Sequence, residues 1–175
     1  MHSNTLKYGA WIVLAILARV MPHPANLTPF ASLIMLSGCQ LSKRGTVVMT
    51  FLSLLISDIL LAVSLGYPVF GSWTVFTYSG FLLMALASSM VIQKKPGVLK
   101  IAGFAVSSVL LYWLWTNLGS WLLAGIYPHT FAGLAACFVA GLPFLKSSLF
   151  SALVFVPLLF GLLHFLEKTW QFKTN

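Results

Sequence analysis

Acid is what this chain has least of: Asp and Glu together number 2 in 175 residues, against 10 Lys plus Arg, and only 7% of the chain is charged. An ordinary soluble domain carries about 25% charged residues, so that class is excluded. The carboxylate pairs that drive acid–base hydrolysis are excluded with it, since Asp58 stands by itself inside an apolar run. Cysteine is almost as scarce. Cys39 and Cys137 both lie in apolar stretches without CxxC spacing, which argues against a disulfide framework and against a zinc site. GxxxxGK[ST], HExxH and GxSxG are all missing, so the chain has no nucleotide-hydrolysing machinery of its own. Neither enzyme chemistry nor a cofactor is expected.

What is present is apolar: 59% of the residues are hydrophobic, and the mean hydropathy is +0.97. The apolar residues come in blocks about as long as a bilayer is thick. They do not alternate, as the strands of a membrane barrel would. The fold class expected is therefore an all-α integral membrane protein. A net charge of +8 would suggest nucleic acid in a soluble protein. Here the cations flank hydrophobic runs and read as topology signals and anchors for lipid headgroups, with no nucleic-acid partner. The first run follows Lys7, as in a signal peptide, but its end "LAILARVMP" lacks a small-x-small cleavage site. It is read as a retained helix.

One transmembrane domain over 1–175 is expected, with hydrophobic segments at Leu6–Met21, Pro29–Leu41, Thr46–Gly66, Thr74–Ile92, Val98–Leu118, Thr130–Leu142 and Ser147–Leu166. Pro29–Leu41 and Thr130–Leu142 are short for a span and would be tilted, re-entrant or ended inside a protein-lined cavity. Six spans place Lys7, Lys43, Arg44, Lys94, Lys95, Lys100, Lys168 and Lys173 on one side. This requires 130–142 to be a half-helix before the last span, with Lys146 on the outer side. Both termini are then cytoplasmic. The opposite connections contain no charged residue but carry His23, Asn26, Tyr67, Trp73, Asn117, Trp121, Tyr127 and His129. Aromatic platforms beside a few hydrogen-bonding groups are how a pocket holds a small molecule. They are equally how an interfacial aromatic belt is built.

The stretch "RVMPHPANLTPF" has Pro22, Pro24 and Pro29, each of which fixes φ and restricts the preceding residue. It is read as a rigid strap that holds His23 and Asn26 over a binding site. A stiff linker between two helices is the plainer alternative. Thr28 or Asn26 is placed to cap the helix that Pro29 opens. Depth counting then suggests a partner for Asp58. Arg19 lies about 13 residues into the first run and Asp58 about 12 into the third, so at 1.5 Å per residue both sit about 18–20 Å up. A buried Arg19–Asp58 ion pair is expected. In the alternative, Arg19 snorkels while Asp58 is protonated or bonded by Ser57. Gly133, Cys137 and Gly141 form a small-xxx-small row suited to close helix packing.

The segment order, with "TNLGSW" closing the fifth span and "PFLKSSLFSALV" opening the sixth, resembles the substrate-binding S components of energy-coupling factor (ECF) vitamin transporters. The stretches "PHPANLTP", "SD" and "YPHTFAGL" are similar to a family of bacterial integral membrane proteins related to them. The resemblance implies capture of a vitamin or similar micronutrient at the extracytoplasmic side of the bacterial inner membrane, with Asn117 matching the fifth-helix Asn. Family members engage an energising ECF module through an Ala-xxx-Ala row on the first helix. Gly9, Ala10, Ala15 and Ala18 do not make that row, which leaves room for a solitary importer. Solitary relatives that import cobalamin use a cysteine as cobalt ligand, which would give Cys39 or Cys137 that role. A structural or accessory subunit of a larger membrane assembly is the alternative function.

Overall fold

The computed structural model describes the backbone of residues 2–92 and 96–173, with side chains for 6–92 and 96–166. Lys94, Lys95 and the side chains of Lys168 and Lys173, which weighed in the topology argument, lie outside the described residues. The chain forms α1 (His2–Val20), α2 (Phe30–Gln40), α3 (Lys43–Leu65), α4 (Thr74–Val91), α5 (Val98–Leu123) and α6 (Phe131–Lys173). Among the described residues four helices, α3 to α6, are long and apolar enough to cross a membrane. This is an all-α membrane protein.

Local chemistry sets most helix ends. Pro22 follows the end of α1 by two residues, and the residue before a proline is driven out of the helical region. Ser42 caps α3, its hydroxyl accepting from the Gly45 N–H at 3.1 Å. Gly66, in the left-handed conformation at φ 72°, closes α3 where a Cβ would be strained. Thr130 caps α6 by accepting from Gly133 N–H at 3.1 Å.

Helices run up and down. Lys7 Nζ donates to the Gln40 carbonyl at 2.6 Å, which sets the start of α1 against the end of α2. Lys43 and Arg44 follow directly at the start of α3. That end of the bundle is basic. The connections at the other end, residues 21–29, 66–73 and 124–130, have no Lys, Arg, Asp or Glu, so it is termed here the uncharged end.

The short α2 is the centre of the molecule. Its 11 residues extend only about 16 Å, half the hydrocarbon thickness, and Phe30 and residues 32–38 are all buried. It is enclosed by the bundle: α1, α3, α4 and α6 all pack on it. Close approach is made by Gly38, where an added Cβ would lie 2.7 Å from the Ser88 backbone carbon. The buried hydroxyls of Ser37, Thr50 and Ser57 donate to carbonyls three or four residues earlier in their own helices. Small hydroxyl residues thus bring helices together without leaving an unsatisfied polar group.

The expected half-helix at 130–142 is corrected. It is helical, but it continues without a break into the last span as the 43-residue α6, through Pro143 and Pro157. A proline removes one backbone bond and favours a kink. Ending the helix in an apolar environment would expose several backbone groups instead, each at a cost of several kcal/mol. Packing holds the stretch before Pro143 against α5: Trp113 Nε1–H donates to the Gly141 carbonyl at 2.9 Å, and a Cβ on Gly141 would collide with Asn117 Oδ1. Lys146 therefore sits inside a helix, on an exposed face, and not in an outer connection.

Candidate functional site

Arg19 occupies the last turn of α1, where a cation complements the carbonyl end of the helix dipole. Its Nη2 donates to Asp58 Oδ1. The second carboxylate oxygen accepts from the Tyr78 hydroxyl at 2.7 Å, so α1, α3 and α4 meet on one anion. Asp58 is 5% exposed and Arg19 17%, and at that burial a lone charge of either sign costs several kcal/mol. The guanidinium also lies over the Phe30 ring, 5.1 Å from its centroid, in the geometry of a cation–π contact. Arg19 Nε is buried and has no hydrogen-bond acceptor.

The strap between α1 and α2 is stitched to three helices through Thr28. Its hydroxyl donates to the Ala18 carbonyl at 2.5 Å, one of the orphan acceptors at the end of α1. The same oxygen accepts from Phe30 N–H at 3.3 Å as α2 begins. Ser151 of α6 donates to the Thr28 carbonyl at 2.7 Å. Within the strap, Leu27 N–H closes a turn on the Pro24 carbonyl at 3.0 Å. Asn26 takes the positive-φ position of that turn, at φ 61°, which Asn tolerates better than most residues. His23 Nδ1 lies 2.9 Å from the Pro24 carbonyl. Because a carbonyl only accepts, Nδ1 is the donor, and in the neutral ring Nε2 is left as an acceptor.

Beneath the strap is a cavity of about 380 Å³. Every helix contributes to its wall: Arg19 from α1, Phe30 and Ser32 from α2, Leu61 from α3, Thr77, Phe81 and Met84 from α4, Val109 and Tyr112 from α5, Ser148, Ser151 and Ala152 from α6. His23, Asn26 and Thr28 of the strap complete it. The apolar side is aromatic, with Phe30 edge-on to Phe81 at 4.9 Å and Phe81 tilted against Tyr112 at 4.3 Å. Ser32 is 1% exposed. It lines this space, and its hydroxyl has no hydrogen-bond partner among the described residues.

Of the residues singled out from the sequence, the cavity gathers Arg19, His23 and Asn26, with Asp58 directly behind Arg19. It does not gather the other six. Asn117 Nδ2–H donates to the Trp113 carbonyl at 2.8 Å, and Asn117 packs on Gly141 at the α5–α6 seam. Trp121 Nε1–H donates to the Pro128 carbonyl at 3.0 Å. His129 Nε2 reaches the Trp121 carbonyl at 3.1 Å. Both residues thus shape the turn between α5 and α6, beside Tyr127. Tyr67 is 60% exposed, and Trp73 packs on Gly71 in the α3–α4 connection. None of these six residues lines the cavity.

The thiols are also elsewhere. Cys39 Sγ–H donates to the Leu36 carbonyl at 3.0 Å, and the buried Cys137 Sγ–H points to the Asn117 carbonyl at 3.4 Å. Neither lines the cavity, so the geometry gives no support to a cobalt-ligating cysteine there. Among the described residues, no three His, Cys, Asp or Glu side chains gather as metal ligands.

Sequence reasoning missed Tyr78, Phe30, Ser32, Phe81, Tyr112 and Ser148. Tyr78 alone left a readable signal, a hydroxyl five residues into an apolar span at the depth of Asp58. No curated protein and no solved structure matches this chain. A family model does match, over residues 1–173, and the chain accordingly belongs to a family of unknown function (DUF6580).

Proposed function

We propose that this protein binds a small, vitamin-like solute within the membrane and carries out its uptake. On this reading it lies in the bacterial cytoplasmic membrane, with its basic end and both termini in the cytoplasm and the strap facing out. The observation that carries the reading is the 380 Å³ cavity to which all six helices and the strap contribute. Space of that size, apolar on one side and furnished with a few unspent polar groups on the other, matches the usual anatomy of a small-molecule site. It lies at the small end of the usual range, about 300–1,000 Å³. A cobalamin, with its macrocycle and nucleotide loop, is too large for it. Resemblance to the S components of energy-coupling factor transporters fits the same role, with or without an energising module.

The test is native mass spectrometry of gently purified protein, joined to thermal unfolding with and without the molecule released. A bound solute at one hundred times its Kd stabilises the folded state by about 2.7 kcal/mol. A protein that carries no small molecule and melts identically in extracts from cells grown on rich and minimal media would refute the reading.

One observation favours the second reading, an accessory subunit. Lys146 lies 15 residues into α6, about 22 Å from its start, exposed and without a partner among the described residues. A lysine at that depth on a lipid-facing surface is costly, and a neighbouring subunit's acceptor would relieve it. Lys146→Leu should then dissolve a larger assembly in native gels while leaving the isolated chain as stable as before. If no assembly exists to dissolve, this reading fails.

A further inference from the structure

The charges and hydrogen bonds around the cavity specify what it can hold. Arg19 and Asp58 are the charged residues beside it among the described side chains, and they neutralise each other. Asp58 is fully engaged, one oxygen by Arg19 and the other by Tyr78. Asp58 thus has little left to offer a cation. Arg19 is only partly engaged, because its buried Nε–H has no acceptor. The Ser32 hydroxyl is likewise unspent. The Arg19 guanidinium, of which only Nη2 bonds Asp58, and the Ser32 hydroxyl both line the cavity and can donate to an oxygen or nitrogen acceptor, and the guanidinium lies over the Phe30 ring.

An anionic ligand would satisfy these donors but bring the site to a net charge of −1 beside the buried Asp58 carboxylate. A cation would bring it to +1, with no free acid to meet it. Either result carries the penalty of an uncompensated buried charge. A neutral ligand carries none. We infer that the cavity selects a small, uncharged ring compound with a hydrogen-bond acceptor on one edge, the acceptor meeting Arg19 and Ser32 and the ring packing on Phe30, Phe81 and Tyr112. This rests on the binding role proposed above and adds the class of solute.

Benzamide, benzoate and benzamidinium test the inference, since they share one shape and differ in charge. Thermal unfolding of the purified full chain is followed with each at millimolar concentration. Benzamide should bind the native protein at least about tenfold more tightly than either ion. Asp58→Asn leaves Arg19 unneutralised, and the preference should pass to benzoate. The double variant Arg19→Gln/Asp58→Asn is neutral again and should return the preference to benzamide, with weaker binding because the Arg19 donors are gone. Should Asp58→Asn not fold, the ranking of the three ligands on the native protein still tests the charge argument. If benzoate or benzamidinium stabilises the native protein as well as benzamide does, the neutral class is wrong while the cavity remains a binding site. If none of the three shifts the melting temperature and no small molecule leaves the protein in native mass spectrometry, the binding role falls too.

Discussion

Removing the Asp58 carboxylate tests the foundation of the site. Asp58→Ala leaves Arg19, 17% exposed, without its counter-ion, and takes the acceptor from the Tyr78 hydroxyl. Breaking a buried pair by deleting one partner costs about 3–5 kcal/mol, mostly as the desolvation of the charge left behind. The lost Tyr78 bond adds to this. Hydrogen bonds between membrane helices average only about 0.6 kcal/mol, so the charge term decides the outcome. Asp58→Asn keeps an acceptor for Arg19 and a polar partner for Tyr78, and should cost less. Arg19→Met/Asp58→Leu removes both charges and leaves no orphan charge, only the Tyr78 hydroxyl without its acceptor. Its cost should fall below that of Asp58→Ala although two residues have changed.

The assay is thermal unfolding in one detergent, with melting temperatures compared across the series. For a chain of 150–250 residues, 1 kcal/mol shifts the melting temperature by about 2–4 °C, so Asp58→Ala should melt roughly 6–20 °C lower. Two results refute the reasoning. One is an Asp58→Ala protein within 2 °C of the native, which would mean that Arg19 simply swings to a headgroup. The other is a double variant as damaged as the sum of its single changes, which would mean that the two side chains do not act as a pair.

Three further predictions rest on single contacts. Gly38→Ala should lower stability by about 1–3 kcal/mol in the same melting assay, because the new methyl meets the Ser88 backbone carbon as well as its side chain, and the backbone cannot turn aside. Asn26→Val should cost about 1–2 kcal/mol, since a β-branched residue is strained at φ 61°, whereas Asn26→Gly should melt like the native protein. If Asn26→Gly nevertheless loses affinity for the solute, the amide serves binding as well as the turn. Trp113→Phe keeps the ring on Phe138 but loses the bond to the Gly141 carbonyl, at a cost of about 0.5–1.5 kcal/mol, again read by melting.

Depth was legible in the sequence and direction was not. Counting residues from the basic end put Arg19 and Asp58 at one level because helical rise is constant, and the structure pairs them. The strap was legible for a similar reason: prolines act locally, whatever surrounds them. Asn117 and Trp121 were harder. Residues at the uncharged end of α5 can face a pocket, a neighbouring helix or lipid, and their identity is compatible with all three. Azimuth is set by packing, here by Cys137 and Gly141, which seat α6 on α5 and turn Asn117 into the seam. Ser32 and Ser148 were invisible for the opposite reason. Buried serines abound in these helices, and nothing in a sequence distinguishes one that bonds its own backbone from one left unspent beside a void. The unbroken α6 was missed because Pro143 reads as a helix end in water, where the alternative to a kink is hydration. An apolar environment removes that alternative.

Helix length is the link between the strap and the cavity. From Asp58, α3 continues seven residues to Leu65, about 10 Å, and from Tyr112, α5 continues eleven residues to Leu123, about 16 Å. By contrast α1 ends one residue after Arg19 and α2 starts at Phe30, both at the level of the ion pair. Two helices thus stop short inside a wall formed by longer ones, and the missing turns leave space. A flexible connection would collapse into that space and fill it. Three prolines, the 24–27 turn and the Thr28 contacts to α1 and α6 hold the connection in place across the opening instead. The same early stop leaves Arg19 at a helix end, with donors unspent and no next turn to cover them. Stiffness of the strap and openness of the cavity are therefore one property, and loosening the first, by Pro24→Gly with Pro29→Ala, should close the second and abolish ligand-dependent stabilisation before it unfolds the bundle.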